Sequence, residues 1–217
     1  PIIFNTEMVK AILDNRKSQT RRVIKPQPTP EPDRIEYYGE KIGWGWVPTS
    51  RSGKIGIFKP PGYKCPYGEI GEKMWVRETW AKVGDNEDDI HGSRYCGSYG
   101  SVYFKADYLP SDDHLKWKPS IFMPRWASRI DLEITDIRVE RVQDIKERDC
   151  ESEGIEVAES IGDYAGALWT ARTEKATFNF SNAQSAFQYL WDSINAKRGY
   201  GWKVNPFVWV IDFKEIK

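Results

Sequence analysis

The chain has little of several things that usually announce a function. Cysteine occurs three times in 217 residues, at Cys65, Cys96 and Cys150, and no two form a C-x-x-C pair. So odd and sparse a count argues against a disulfide framework and fits a reducing compartment. Histidine occurs twice, at His91 and His114, which disfavours a Ser-His-Asp triad; with Cys65 and Cys96 these residues match no usual zinc spacing. No apolar run approaches the roughly 18 residues of a membrane span, and no signal-peptide core is visible. Neither a G-x-x-x-x-G-K-[ST] loop nor a Rossmann glycine fingerprint is present. Net charge is absent as well, 32 basic residues against 32 acidic. That argues against a general polyanion binder but leaves room for a site that holds one nucleotide or nucleoside. The expectation is a soluble, cytoplasmic protein with no membrane partner, no metal and no cofactor.

Aromatic residues are plentiful: 14% of the chain, with 10 tryptophans. Most of such an excess belongs to core or strand, yet it also suits stacking on flat ligands such as bases. The length fits one domain with insertions, long enough to bury a real core.

Along the chain, "PIIF" reads as a short strand. Asn5 or Thr6 caps a helix carrying Val9, Ile12 and Leu13 on one stripe, which ends near Asp14-Asn15. "RRVIK" reads as a strand. Residues 26–71 lose all periodicity: Pro26, Pro28, Pro30 and Pro32 alternate, then "GWGW" and "KPPGYKCPYGEIGE" follow, an aromatic loop or inserted hairpin. "KMWVRETW" and "SVYFKADY" read as strands. In "SRIDLEITDIRVERV", Ile130, Leu132 and Ile134 share a phase that Ile137, Val139 and Val142 do not keep, which predicts a bulge near Thr135-Asp136. Asp144-x-x-Glu147 has capping-box spacing and opens a short helix that Gly154 ends. Residues 156–180 read as a second insertion with weak pattern. Ser181-x-x-Gln184 caps a helix with the stripe Ala183, Ala186, Phe187, Leu190, Trp191 and Ile194, stopping at Gly199. "PFVWVIDFKEI" is near-continuously apolar and belongs inside a sheet. Strands dominate without regular helical alternation, so the expected fold is α+β: a small mixed or antiparallel barrel, one domain over residues 1–217, with helices packed outside.

Two local anomalies carry the chemistry. Five of the ten residues from Arg16 to Lys25 are basic although the chain is neutral. Arg16 and Lys17 at a helix C-terminus offset the macrodipole. Arg21 and Arg22 follow the turn, and strand neighbours point to opposite faces, so one of them faces inward or lines a cleft and needs an anionic partner or ligand. The second anomaly is acidic. Asp149, Glu151 and Glu153 crowd the end of a short helix, where negative charge opposes the dipole. A solvated face accounts for Asp149 and Glu151. Glu153, directly before Gly154, sits where the dipole favours the protonated form and a carboxylate becomes a better general base, unless a cation beside it pulls the other way.

Three segments carry a resemblance. "NRKSQTRR" resembles the K-x-x-T-x-R segment of the ASCH domain family, small β-barrels of the PUA-like superfamily. "GEKMWVRE" resembles that family's G-[DE]-x-[LM]-x-V strand, and "DIKERDCESEGI" its later helix with an acid before a terminal Gly or Asn. The segments keep the family's order, "VWVIDFKEI" resembles its closing strand, and together they span about half of the chain. The longer form, with "PRWAS" and "LWDSINAKRGYGW", is similar to proteins common in bacteriophages and prophages. Small bacterial ASCH proteins include amidohydrolases that remove the acetyl group from N(4)-acetylcytidine with a lysine, a threonine and a glutamate. The resemblance implies those roles for Lys17, Thr20 and Glu153, and a PUA-like barrel.

On that basis Lys17, desolvated and beside arginines, takes the proton of a Thr20 nucleophile. Glu153 orients Lys17, relays a proton or activates water; Arg21 holds the oxyanion or the pyrimidine carbonyl, and Arg22 is a further substrate-binding candidate. Trp75, Trp80 and Trp126 are candidates for a base pocket or for plain core, and Trp44 and Trp46 for a lid or stacking surface. The partner is then a modified nucleoside. Two other functions compete: a non-catalytic module that holds a base of single-stranded RNA, and a ribonuclease in which Lys17 and Arg21 stabilise a phosphorane.

Overall fold

A computed structural model describes residues 1–28, 34–39, 43–47, 63–82, 102–108, 115–158, 168–173 and 176–216. The architecture is mixed α+β. Its centre is a five-stranded sheet made of β1 (Ile2–Ile3), β2 (Gln19–Val23), β5 (Lys73–Arg77), β8 (Asp131–Arg141) and β12 (Phe207–Ile216). The order across the sheet is β1-β5-β8-β12-β2. The β1–β5 pair is parallel and the other three are antiparallel.

The near-continuous apolar run of β12 has the cause expected of an interior strand, burial on both faces. Phe207, Trp209, Ile211 and Phe213 enter one core with Ile2, Phe4, Met74, Leu132 and Ile134. The alternate residues Val208 and Val210 enter a second core, as the period of two requires. The bulge predicted in β8 is present: Asp212 faces Asp136 and Phe213 faces Ile134, so Thr135 has no residue opposite it. This extra residue resets the phase, and Ile134 and Ile137 both reach the first core.

Helix α1 (Thr6–Leu13) is capped by Asn5, whose Oδ1 accepts from the Met8 N–H at 2.8 Å. Helix α2 (Glu147–Ser152) is short. It does not start from Asp144, which ends a 3-10 turn over Val142–Asp144; Asp149 accepts instead from the Lys146 N–H at 3.4 Å. Helix α3 (Ala183–Asn195) is capped by Asn182 rather than Ser181. Its Ala183, Ala186, Phe187, Leu190 and Trp191 are buried in the second core. A 3-10 turn then carries the chain to Gly199, where φ is +82°.

Three smaller sheets complete the fold. β3 (Arg34–Tyr37) and β4 (Trp44–Val47) form a hairpin within the first insertion. β6 (Trp80–Lys82) pairs with β7 (Val102–Phe104). The described parts of the second insertion carry strands that its weak pattern did not predict: β9 (Glu156–Ala158), β10 (Leu168–Arg172) and β11 (Thr177–Phe180) make an antiparallel sheet of order β11-β10-β9. Trp169 and Ala171 of β10 seal the second core beside α3.

The expected barrel is not closed. Among the described residues β1 and β2, the two ends of the central sheet, share no backbone ladder. One side-chain hydrogen bond spans the seam, from Arg22 Nη2 to the Ile3 carbonyl at 2.7 Å. No described helix is long and apolar enough to cross a membrane.

Candidate active site

The seam is where the site lies. After α1 the chain reverses sharply: Asn15 takes a left-handed φ of +57°, and the N–H groups of Arg16 and Lys17 both donate to the Ala11 carbonyl, at 2.8 and 2.9 Å. Asparagine tolerates that conformation. The turn aims Lys17 inward, not at the helix end whose dipole it was expected to offset. Arg16 remains outside and pairs with Asp14 and Glu156.

The α2 C-terminus docks on this turn. Ser18 N–H donates to the Ser152 carbonyl at 2.9 Å, and Lys17 and Glu153 form an isolated antiparallel bridge. Gly154 permits the approach: its φ is +97°, and a Cβ there would lie 3.2 Å from the Ala11 Cβ. Lys17 Nζ then donates to Glu153 Oε2 at 2.6 Å, to the Glu153 carbonyl at 2.8 Å and to the Gln19 carbonyl at 2.7 Å. Three acceptors match the three hydrogens of an ammonium. Both side chains are buried. Burial pushes the Lys17 pKa down, Glu153 opposes that, and Arg22 and Arg21 push it further down; the balance lies below the ordinary lysine value.

The Glu153 carboxylate is thus divided. Oε2 is held by Lys17, while Oε1 is buried with no hydrogen-bond partner, 3.5 Å from Arg21 Nη1. Arg21 is itself caged: Gln19 Oε1 accepts from it, and the carboxylates of Glu140 and Asp149 stand 3.2 and 3.5 Å from its Nη2. Arg138 joins this network through Glu140 at 2.7 Å, Asp149 at 3.0 Å and Asp212. Asp149 is therefore no solvated face. Partial burial raises its pKa, but the Gln19 amide, the Arg21 guanidinium, the Lys146 N–H and Arg138 outweigh burial and hold the carboxyl below its usual value. Cys150, buried on the same helix, has its thiol pushed up to about 12 by burial; it takes no part in nucleophilic chemistry.

Against this cluster opens a cavity of about 630 Å³, bordered by Thr20, Arg21, Arg22 and Glu153. Thr20 sits on β2 opposite Ile211, and no described residue hydrogen-bonds its hydroxyl. The structure therefore joins Thr20, Arg21, Arg22 and Glu153 at one cavity, with Lys17 directly behind Glu153.

The tryptophans are distributed otherwise than the sequence led one to expect. Trp75, on β5, lies between the Arg77 and Arg125 guanidiniums, 4.8 and 5.7 Å from its ring. Trp80 is buried with Met123 and Ala127, and exposed Trp126 meets it edge-on at 5.9 Å. None of the three borders the cavity. Trp44 packs on Tyr37 and on the edge of Trp209 and lines a second cavity of about 490 Å³. The backbone of Trp46 pairs with Ile35. The aromatic walls of the main cavity come instead from Trp209, Trp191, Phe187 and Tyr67. Phe187 and Trp191 were visible only as a core stripe: an apolar helix face looks the same whether it meets a core or a ligand. Of the residues weighed for zinc, His91, Cys96 and His114 lie outside the described residues; Cys65 is half-buried and free.

Comparison with protein-family models, with curated proteins and with solved structures returns no match to the chain.

Proposed function

We propose that the protein hydrolyses an acyl-amide on a modified pyrimidine nucleoside of the N(4)-acetylcytidine kind, on an ASCH-like scaffold of the PUA-like type. One observation carries the reading: a buried carboxylate with one oxygen fixed by a lysine and the other without a hydrogen-bond partner, on the wall of a nucleoside-sized cavity that also borders Thr20, whose hydroxyl no described residue binds. Small-molecule sites span about 300–1,000 Å³ and combine apolar walls with a few placed polar groups. The resemblance of "NRKSQTRR", "GEKMWVRE" and "DIKERDCESEGI" to ASCH segments supports the same reading.

The three hydrogens of Lys17 are taken, so the base is Glu153 and Lys17 is the residue that positions it. Thr20 Oγ attacks the acyl carbonyl and passes its proton to Glu153 Oε1. Arg21, whose Nε is buried without a partner, receives the developing oxyanion. The carbon–nitrogen bond breaks as Glu153 returns the proton to the leaving amine, giving cytidine and a threonyl ester. Water then attacks the ester with Glu153 again the base, the proton returns to Thr20 Oγ, and acetate leaves.

The test is release of cytidine from N(4)-acetylcytidine by the pure protein, followed by chromatography. Glu153→Gln lowers the rate about 100-fold or more, the usual worth of a positioned base, and Thr20→Ala removes a trapped acyl-enzyme. A wild-type protein that releases no cytidine overturns the reading. Full activity in Thr20→Ala assigns the nucleophile to water.

A further inference from the structure

The cavity wall is more cationic than the neutral chain around it. Arg21, Arg22, Lys25, Lys64 and Arg198 border it against one described carboxylate, Glu153. The charge of Arg21 is met by the Glu140 and Asp149 carboxylates behind it, and Lys64 stands 3.7 Å from Glu69. Arg22 and Arg198 differ: neither forms an ion pair with any described carboxylate. Arg22 is half-buried over the rings of Phe4 and Tyr67, at 5.0 and 5.8 Å, and its Nε is buried with no partner. Burial pushes its pKa down, Tyr67 and Glu153 push it back, and the charge of Arg198 pushes it down again. A guanidinium with a buried orphan donor, lining one cavity with a second unpaired guanidinium, is an arrangement an anion completes.

We propose that Arg22 and Arg198, with Lys25 at the rim, form a phosphate subsite, so that the ligand of this cavity is a phosphate ester of the nucleoside and not the bare nucleoside. Two guanidinium forks offer the paired donors that phosphate oxygens accept, which a lone ammonium does not. Arg198 is exposed on the turn after α3 and Arg22 lies on β2, and both line the cavity that Glu153 and Arg21 also border. The base end of this placement rests on the function proposed above; the anion end does not. A monoester of a free nucleotide and a diester within a strand share this chemistry.

Calorimetric titration separates the possibilities. The probes are inorganic phosphate, cytidine, cytidine 5′-monophosphate and a cytidine-containing dinucleotide, each at low and at high salt. The expected result is that the monophosphate binds at least tenfold more tightly than cytidine, that salt erodes this ratio, and that inorganic phosphate competes. In Arg198→Ala, whose exposed side chain no fold contact requires, the ratio falls toward one and phosphate binding is lost. A dinucleotide that outbinds the monophosphate identifies a strand as the source; the reverse identifies a free nucleotide. Equal affinity for cytidine and its monophosphate, no binding of phosphate, or an Arg198→Ala ratio equal to that of the wild type overturns the subsite. Hydrolysis of N(4)-acetylcytidine with no preference for its 5′-phosphate removes the subsite alone. Phosphate binding without any hydrolysis removes the amidohydrolase reading alone.

Discussion

Lys17 and Glu153 share one buried contact, and neither charge is tolerable there alone. Removing one partner of a buried pair costs about 3–5 kcal/mol, whereas replacing both by apolar groups is often neutral. Lys17→Met is therefore expected to lower the free energy of unfolding by about that amount, measured by urea denaturation, and Lys17→Met with Glu153→Leu to recover most of it. Arg21 keeps Glu140 and Asp149 in the double variant, so the recovery reports on the pair itself. A loss below about 1 kcal/mol in the single variant would mean that the pair behaves like a surface contact. The sequence marked Glu153 for a physical reason, since an acid at a helix C-terminus breaks a local rule, but Lys17 only through the resemblance, because its local pattern read as a cation offsetting the α1 dipole. It did not mark Asp149, Glu140, Arg138 and Asp212 as their neighbours, because a network across β2, β8, β12 and α2 has no signature in any one segment. The tryptophans failed for the same reason. Aromatic identity says that a ring is buried or stacked, not which strand order places it.

Helix ends were legible to within a residue or two, and the misplacements have a common cause. In Ser181-Asn182 both residues are good caps, and the Glu/Gln spacing favoured the first; the structure uses Asn182, whose side chain accepts from the Ser185 N–H at 2.8 Å. Asn182→Ala is thus expected to cost about 1 kcal/mol of stability, and Ser181→Ala only a few tenths, read from the shift in thermal midpoint. Equal losses, or the reverse order, would return the cap to Ser181. At α2 the sequence offered Asp144 and the fold took Asp149, since Ile145 is buried in the second core and holds the preceding turn out of helical register. Where an element had a phase to lose, as at Thr135, the irregularity itself was readable. Strands β9, β10 and β11 had none: exposed Val157 and Phe178 and three consecutive buried residues in β10 break the alternation that reveals a strand.

The central sheet is the part of the molecule that the sequence described in pieces and could not assemble. Its strands were visible, but whether β1 and β2 meet depends on the curvature of five strands together, and the seam left between them is where the cavity forms. The same sheet couples the two cores. Successive residues of β12 enter opposite cores, Trp209 and Ile211 one and Val208 and Val210 the other, so neither core persists once β12 leaves its place. Unfolding is then a single cooperative step for both. The indole N–H resonances of Trp209 in the first core and Trp191 in the second report on the two sides separately, the latter through a bond to the Tyr200 carbonyl at 2.8 Å. Both are expected to disappear at the same urea concentration. Ile211→Ala, which cuts into the first core alone, is expected to destabilise by about 2–5 kcal/mol and to move both transitions together with an unchanged slope on denaturant. If Trp191 kept its wild-type midpoint while that of Trp209 fell, the cores would be independent, and the seam would be a boundary between two folding units and not an opening in one sheet.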